Sequence, residues 1–219
     1  MNKSVSTSVL PDALQGAVLH DFPNAPNPRR VHIFCAEKGI VLERSQVNIM
    51  VRAQKEPEFI EKNPTGQIPV LELADGTCIA ESVSICRFIE AVAPENPLFG
   101  TTALEQAQID VWLRRVEFSL MFMIGQVWIH GHELTAGLLK QIPEAAELGR
   151  ERAAAGYKLF DKALKNQQFI AGDKYTVADA VALATIDFGC GLVGVPYDEG
   201  LTNLKRWHDE VSARPSAKA

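Results

Sequence analysis

Hydrophobic periodicity changes once along this 219-residue chain, at a pair of prolines, and that change divides what its two halves can fold into. Before Pro94, short alternating runs are interleaved with runs of helical spacing; after Pro97 only helical spacing remains. Residues 17–22 read as a strand, broken by Pro23-Asn24-Ala25-Pro26, which cannot continue a sheet ladder. Asn27-Pro28 then reads as a helix start, with Asn27 as N-cap, and Gly39 as its stop. A strand is expected over 42–49, a short helix over 57–62, and a turn at Asn63-Pro64-Thr65-Gly66. Residues 69–73 and 77–80 flank Asp75-Gly76 as a hairpin, and 81–93 is a helix ended by Pro94. The order is β-α-β-α-β-β-α.

Beyond the prolines four helices are expected, over 102–132, 144–166, 176–192 and 201–213. The chain is thus an α/β domain over 17–94 followed by an all-α domain over 102–213. Residues 1–16 lack the basic start and unbroken apolar run of a secretion signal and read as a flexible arm. No apolar run approaches the roughly 20 residues that cross a bilayer. A net charge of -5 argues against nucleic acid and anionic membrane as partners. Cys35, Cys78, Cys86 and Cys190 form no C-x-x-C pair and have no histidine at metal-ligand spacing. They read as buried, inert thiols in a reducing cytoplasm, with no metal site.

Two junctions carry chemistry. At Glu81-Ser82 a strand ends where a helix begins, and the free N–H groups and positive dipole end there suit a carboxylate. Thr176-Val177-Ala178-Asp179 is a capping box, which makes Asp179 a buried structural group.

Four segments together resemble the glutathione transferase family: 26–31 with Ala36-Glu37-Lys38-Gly39; 63–71, Asn-Pro-Thr-Gly-Gln-Ile-Pro-Val-Leu; Asp75-Gly76 with Ile79-Ala80-Glu81-Ser82; and 169–179, ending Thr176-Val177-Ala178-Asp179. The resemblance implies a thioredoxin-like first domain, an all-helical second domain, and glutathione as co-substrate. It implies a cis peptide before Pro69, with Ile68 offering its backbone N–H and C=O to the cysteinyl backbone and Gln67 beside it. Ser82 would hold the γ-glutamyl carboxylate and Glu81 the ammonium. For the glycine carboxylate, Val51 and Gln54 stand where a related subgroup carries Lys and His. Gln54 is the first choice there, with Arg52 or Lys55 as substitute.

The family activates the glutathione thiol with a Tyr, Ser or Cys after the first strand, but that position falls on Ala25. Asn27 could donate its amide instead, as in a bacterial subgroup with Thr-Pro-Asn in this turn. His130 or His132 could hold a water against the sulfur, as in a fungal branch with histidines in the same helix. Backbone N–H groups of the turn are a third route. The resemblance implies conjugation of glutathione to a small hydrophobic electrophile, bound between domains near Phe22, Met121, Phe122, Trp128 and Tyr157. It also implies a homodimer through helices 81–93 and 102–132. A glutathione-dependent disulfide or peroxide reductase, and a glutathione-binding protein without catalysis, are the alternatives that Ala25 keeps open.

Overall fold

The computed structural model describes residues 10–219. They form two units, one ending at Pro97 and the other spanning Leu98–Ala217, with Lys218 and Ala219 grouped with the first. Residues 1–9, most of the expected arm, lie outside the described residues. Just beyond them, Asp12–Leu14 wind into a 3-10 turn whose Leu14 side chain is wholly buried.

The first unit is a four-stranded sheet with three helices. Its elements run β1 (Val18–Asp21), α1 (Pro26–Lys38), β2 (Glu43–Gln46), α2 (Pro57–Lys62), β3 (Val70–Glu72), β4 (Cys78–Ala80) and α3 (Ser82–Val92). The sheet order is β2-β1-β3-β4, parallel between β1 and β2 and antiparallel elsewhere, with Leu19 opposite Arg44 and Leu71. This is the thioredoxin-like arrangement expected. Leu19, Val70 and Leu71 of the sheet are buried with Val31 and Phe34 of α1 and with Ile85 and Ile89 of α3. The β3–β4 hairpin turns at Gly76, whose φ of 85° favours glycine, while Asp75 accepts the Thr77 N–H at 2.9 Å.

Two local expectations need correcting. The second strand stops at Gln46, because the Asn48 side chain accepts the Met50 N–H at 3.0 Å and turns the chain into a 3-10 segment. Helix α1 begins at Pro26 with Ala25 as N-cap, so Asn27 does not cap it. The first intrahelical bond, Arg29 N–H to the Ala25 carbonyl at 3.2 Å, places both prolines in the first turn, where no N–H is needed.

The second unit is helical: α4 (Ala103–Arg115), α5 (Phe122–Gly131), α6 (Pro143–Leu164), α7 (Val177–Phe188) and α8 (Thr202–Ser212). The long helix expected over 102–132 is α4 and α5 joined by a π-helical segment, Val116–Met121. Beside it α6 comes very close through two glycines. A Cβ at Gly156 would lie 2.5 Å from the Ser119 carbonyl oxygen, and one at Gly149 2.8 Å from that of Met123. A second π-helical segment, Gly189–Val193, ends α7.

Asp179 is fully buried at the start of α7 and ties this unit together. The capping box with Thr176 is present. Its carboxylate accepts from the Ile170 N–H (2.9 Å), the Thr176 N–H (2.9 Å), the Thr176 hydroxyl (3.1 Å) and Trp207 Nε1 (2.8 Å). Burial pushes its carboxyl up to about 6 against the pull of these donors, so it is ionised at neutral pH. Asp179→Ala strands buried donors on three separate segments and is expected to lower stability by about 3 kcal/mol at pH 7. Urea unfolding checks this; a loss below 1 kcal/mol would contradict the anchoring role.

Candidate functional site

At the end of β1, Asp21 ties α1 and β2 to the first strand. Its Oδ2 is 2.7 Å from His32 Nε2 and 2.7 Å from Arg44 Nε, and its backbone carbonyl accepts the Val47 N–H at 2.7 Å. Burial alone would raise this carboxyl, but the bonds from His32 and Arg44 hold it below the usual carboxylate range. The turn at 22–25 therefore leaves a braced strand end, closing with Ala25 N–H on the Phe22 carbonyl at 3.2 Å.

Opposite that turn runs the segment ahead of β3. Asn63 is buried, accepts from Thr65 N–H (3.2 Å) and Thr65 Oγ1 (2.9 Å), and donates from Nδ2 to the Gln67 carbonyl at 2.8 Å. Gly66, at φ 57°, lets this turn press on the preceding loop, since a Cβ there would sit 2.7 Å from the Gln54 carbonyl oxygen. The Ile68–Pro69 peptide is cis and leads directly into β3.

The third wall is the junction of β4 and α3, where one residue, Glu81, turns strand into helix. Its φ of 66° and ψ of 118° lie where non-glycine residues are strained, a cost of about 1–3 kcal/mol. No side chain caps α3, and its first intrahelical bond joins Ile85 N–H to the Glu81 carbonyl at 2.9 Å. The N–H groups of Ser82, Val83 and Ser84 thus lie ahead of the helical ladder, at the positive end of the helix.

These walls enclose one pocket lined by Asn27, Asn63, Gln67, Ile68, Pro69, Glu81 and Ser82. Inside it the Asn27 Oδ1 is buried and has no hydrogen-bond partner. Its lining is mostly polar and brings the start of α3 together with that unpartnered amide oxygen. Residues 25–92 match the family model for the glutathione S-transferase N-terminal domain, and residues 115–215 that for the glutathione S-transferase C-terminal domain.

The chain belongs to the glutathione S-transferase family.

It is 34% identical over 211 residues to glutathione S-transferase 2 of Saccharomyces cerevisiae, covering 93% of this chain and 89% of that protein. The crystal structure of a glutathione S-transferase domain-containing protein from Marinobacter aquaeolei superposes with a TM-score of 0.87 at 33% identity, covering 91% of this chain and 98% of that one. Elongation factor 1-gamma 1 of Oryza sativa is 30% identical over 177 residues, which are 80% of this chain and 39% of that protein.

Of the residues the glutathione S-transferase resemblance singles out, Asn27, Gln67, Ile68, Pro69, Glu81 and Ser82 share the pocket lining. The loop of Arg52, Gln54 and Lys55 is not part of it. There Arg52 is exposed at φ 62°, Gln54 Oε1 is buried without a partner, and Lys55 Nζ donates to the Thr65 carbonyl at 2.9 Å. His130 lies in the last turn of α5, in the second unit, with a buried, unpartnered Nδ1; His132 Nδ1 accepts the Leu134 N–H at 3.2 Å. Asn63 was missed. Its turn chemistry is visible in Asn63-Pro64-Thr65-Gly66, but nothing local shows that the amide also braces Gln67.

The cysteines divide. Cys35 and Cys86 are buried, while Cys78 and Cys190 are partly exposed, which corrects the expectation of four buried thiols. Burial pushes all four thiols up, Cys35 to about 12, so none is thiolate at neutral pH. Among the described residues no group of three or more His, Cys, Asp or Glu could hold a metal, and no helix is long and apolar enough to cross a membrane.

The strain at Glu81 has a measurable consequence. Glu81→Gly is expected to raise stability, or leave it unchanged, by relieving the positive φ against glycine's larger unfolded-state entropy. Thermal unfolding tests this; a clear loss of stability would mean that the Glu81 side chain supports the fold.

Proposed function

We propose that this protein is a glutathione transferase that holds glutathione in the pocket of the first unit and conjugates it to a small hydrophobic electrophile. The uncapped N-terminus of α3 suits the γ-glutamyl carboxylate, received by Ser82, with Glu81 taking the ammonium. The Ile68 backbone, ahead of β3, suits strand-like pairing with the cysteinyl residue, and Gln67 flanks it. The glycine carboxylate falls to the loop of Gln54, Arg52 and Lys55. Gln54 comes first, since its side-chain NH2 can donate to a carboxylate and Lys55 is already engaged with Thr65.

The observation that carries the catalytic part is that Asn27 lines that same pocket with an amide whose oxygen has no hydrogen-bond partner. Ala25 has no side-chain donor. Because Asn27 is not spent on capping α1, its amide is free to turn and present N–H to a thiolate. Such a bond favours the anion, and the bound thiol loses its proton more readily. The sulfur lone pair then forms the carbon–sulfur bond as the leaving group departs with its electron pair. His130, with its own unpartnered nitrogen, is the second candidate for the thiol.

A hydrogen bond to a charged group contributes about 1.5–3 kcal/mol, about 10–100-fold in thiolate population at neutral pH. Asn27→Ala is therefore expected to raise the pKa of bound glutathione by about one to two units and lower kcat correspondingly. Ultraviolet difference spectra across pH read the thiolate directly, with His130→Ala alongside. An unchanged thiol pKa in Asn27→Ala removes Asn27 from the mechanism. Tight binding by wild type with no thiolate at all favours a second reading, a glutathione-binding protein without conjugation, for which Ala25 speaks.

A cytoplasmic homodimer completes the proposal. Leu104, Val111 and Phe118 recur every seventh residue from α4 into the π-helical segment, and Phe122 follows one turn on. They are 67%, 46%, 64% and 56% exposed. A second copy covering this apolar row explains its exposure. Phe118→Asp is expected to give a monomer by light scattering, whereas a wild type already monomeric at micromolar concentration contradicts the dimer.

A further inference from the structure

The helices of the first unit are not held equally. α1 and α3 bury Val31, Ile33, Phe34, Ile85 and Ile89 completely. α2 rests on less: its Phe59 joins Val47 and Val70 in a small cluster, against which Ala53, Ile68 and Cys78 pack. Apolar stabilisation scales with the area buried, so this cluster holds α2 less firmly. The six residues of α2 are also too few for a helix that stands without tertiary support.

Residues 53–68 nevertheless hold together as one block. Ala53 ahead of α2, Phe59 within it and Ile68 after it all meet that cluster. Lys55 Nζ donates to the Thr65 carbonyl at 2.9 Å, and Asn63 Nδ2 donates to the Gln67 carbonyl at 2.8 Å. Gly66 presses on the Gln54 carbonyl. The block brings Asn63, Gln67 and Ile68 to the pocket lining, whereas Asn27, Glu81 and Ser82 arrive on other elements.

A charged latch pins this block to the sheet. In the β1–β3 ladder His20 lies opposite Val70 and Glu72 opposite Val18, so His20, Val70 and Glu72 share one face. Glu72 Oε2 is 2.7 Å from Lys62 Nζ, at the end of α2, and 2.6 Å from His20 Nε2 on β1. The bond from Lys62, then that from His20, holds the Glu72 carboxyl below its usual range. The carboxylate is therefore ionised at neutral pH, and His20 Nε2 carries the proton that faces it. The His20 ring also meets Phe59 edge-on, with centroids 6.3 Å apart. The polar and apolar attachments of α2 thus converge on one histidine.

We infer that Lys62, Glu72 and His20 are positioning residues, a latch that seats the block before the ligand arrives and so sets the affinity for glutathione. This rests on the glutathione reading of the pocket. A ligand that must first seat a loose block binds more weakly, in proportion to the time the block spends unseated. Asn27 and the start of α3 lie outside the block, so the latch acts on affinity and not on the chemistry of the bound thiol.

Calorimetry with glutathione and hydrogen exchange test the latch in wild type, Glu72→Gln, Lys62→Met, their double variant and Lys62→Arg. Each of the first two variants is expected to weaken glutathione about three- to tenfold. The double variant loses no more than the larger single loss, because both changes break the same bond. Lys62→Arg keeps the charge and stays within about twofold of wild type. The amides of Phe59, Ile60 and Asn63 bond to the Glu56 and Phe59 carbonyls. They exchange faster in unliganded Glu72→Gln and Lys62→Met, and return to the wild-type rate at saturating glutathione. Should Glu72→Gln not fold, Lys62→Met decides by the same two measurements. Unchanged affinity in the single variants, or faster exchange across the whole first unit, overturns the inference and leaves the glutathione reading standing. Wild type that binds no glutathione overturns both.

Discussion

One residue makes the whole turn from β4 into α3, and the site is built around that constraint. With Ala80 still in the strand and Ser82 already in the helix, Glu81 takes a strained positive φ and no side chain is placed to cap the helix. Three backbone N–H groups and the positive dipole end lie ahead of the helical ladder, beside the two residues, Glu81 and Ser82, that line the pocket. In a protein selected for stability alone, a Ser, Asp or Asn cap would close such an end. Here no side chain caps the end, a hydroxyl stands at its first position, and the proposed role in holding a carboxylate would account for the strain.

The other walls are held by polar groups acting across the chain. Asn63 spends its amide on Thr65 and Gln67 and thereby presents Ile68. Asp21 spends its carboxylate on His32 and Arg44 and steadies the turn that delivers Asn27. Each is buried, and each is satisfied by hydrogen bonds, so they keep their geometry without a ligand. Asn27 is the contrast, a buried oxygen with no partner among satisfied neighbours. Such a group is costly unless something binds to it, and that makes it the chemically informative member of the pocket.

The second unit shows the same division between groups that hold and groups left open. Gly149 and Gly156 let α6 lie against backbone carbonyls of the long helix, and Asp179 gathers α7, α8 and the segment at Ile170 around one carboxylate. Both features rest on local, recognisable patterns, the capping box above all. The π-helical segment at Val116–Met121 had no such sign, because the apolar stripe through Ile109, Leu113, Val116 and Leu120 reads as one helix whether or not a turn is widened.

What the sequence by itself determined is whatever depends on neighbours a few residues apart. The period switch at Pro94 and Pro97, the hairpin at Asp75-Gly76, the capping box, and the four segments shared with the family are all of this kind, and from them came the fold, the family and most of the pocket lining. The start of α1 was read two residues late because Asn27-Pro28 and Ala25-Pro26 both make acceptable starts. The choice belongs to the turn at 22–25, which hangs from the braced end of β1. Tertiary structure alone decided that Asn27 is free of capping, that Asn63 supports Gln67, and that Lys55 is tied to Thr65. It alone brought Arg30 under Ser82, 52 positions away. A charge on a helix gives no local sign of where it will be buried; that follows from how α1 and α3 pack on the sheet.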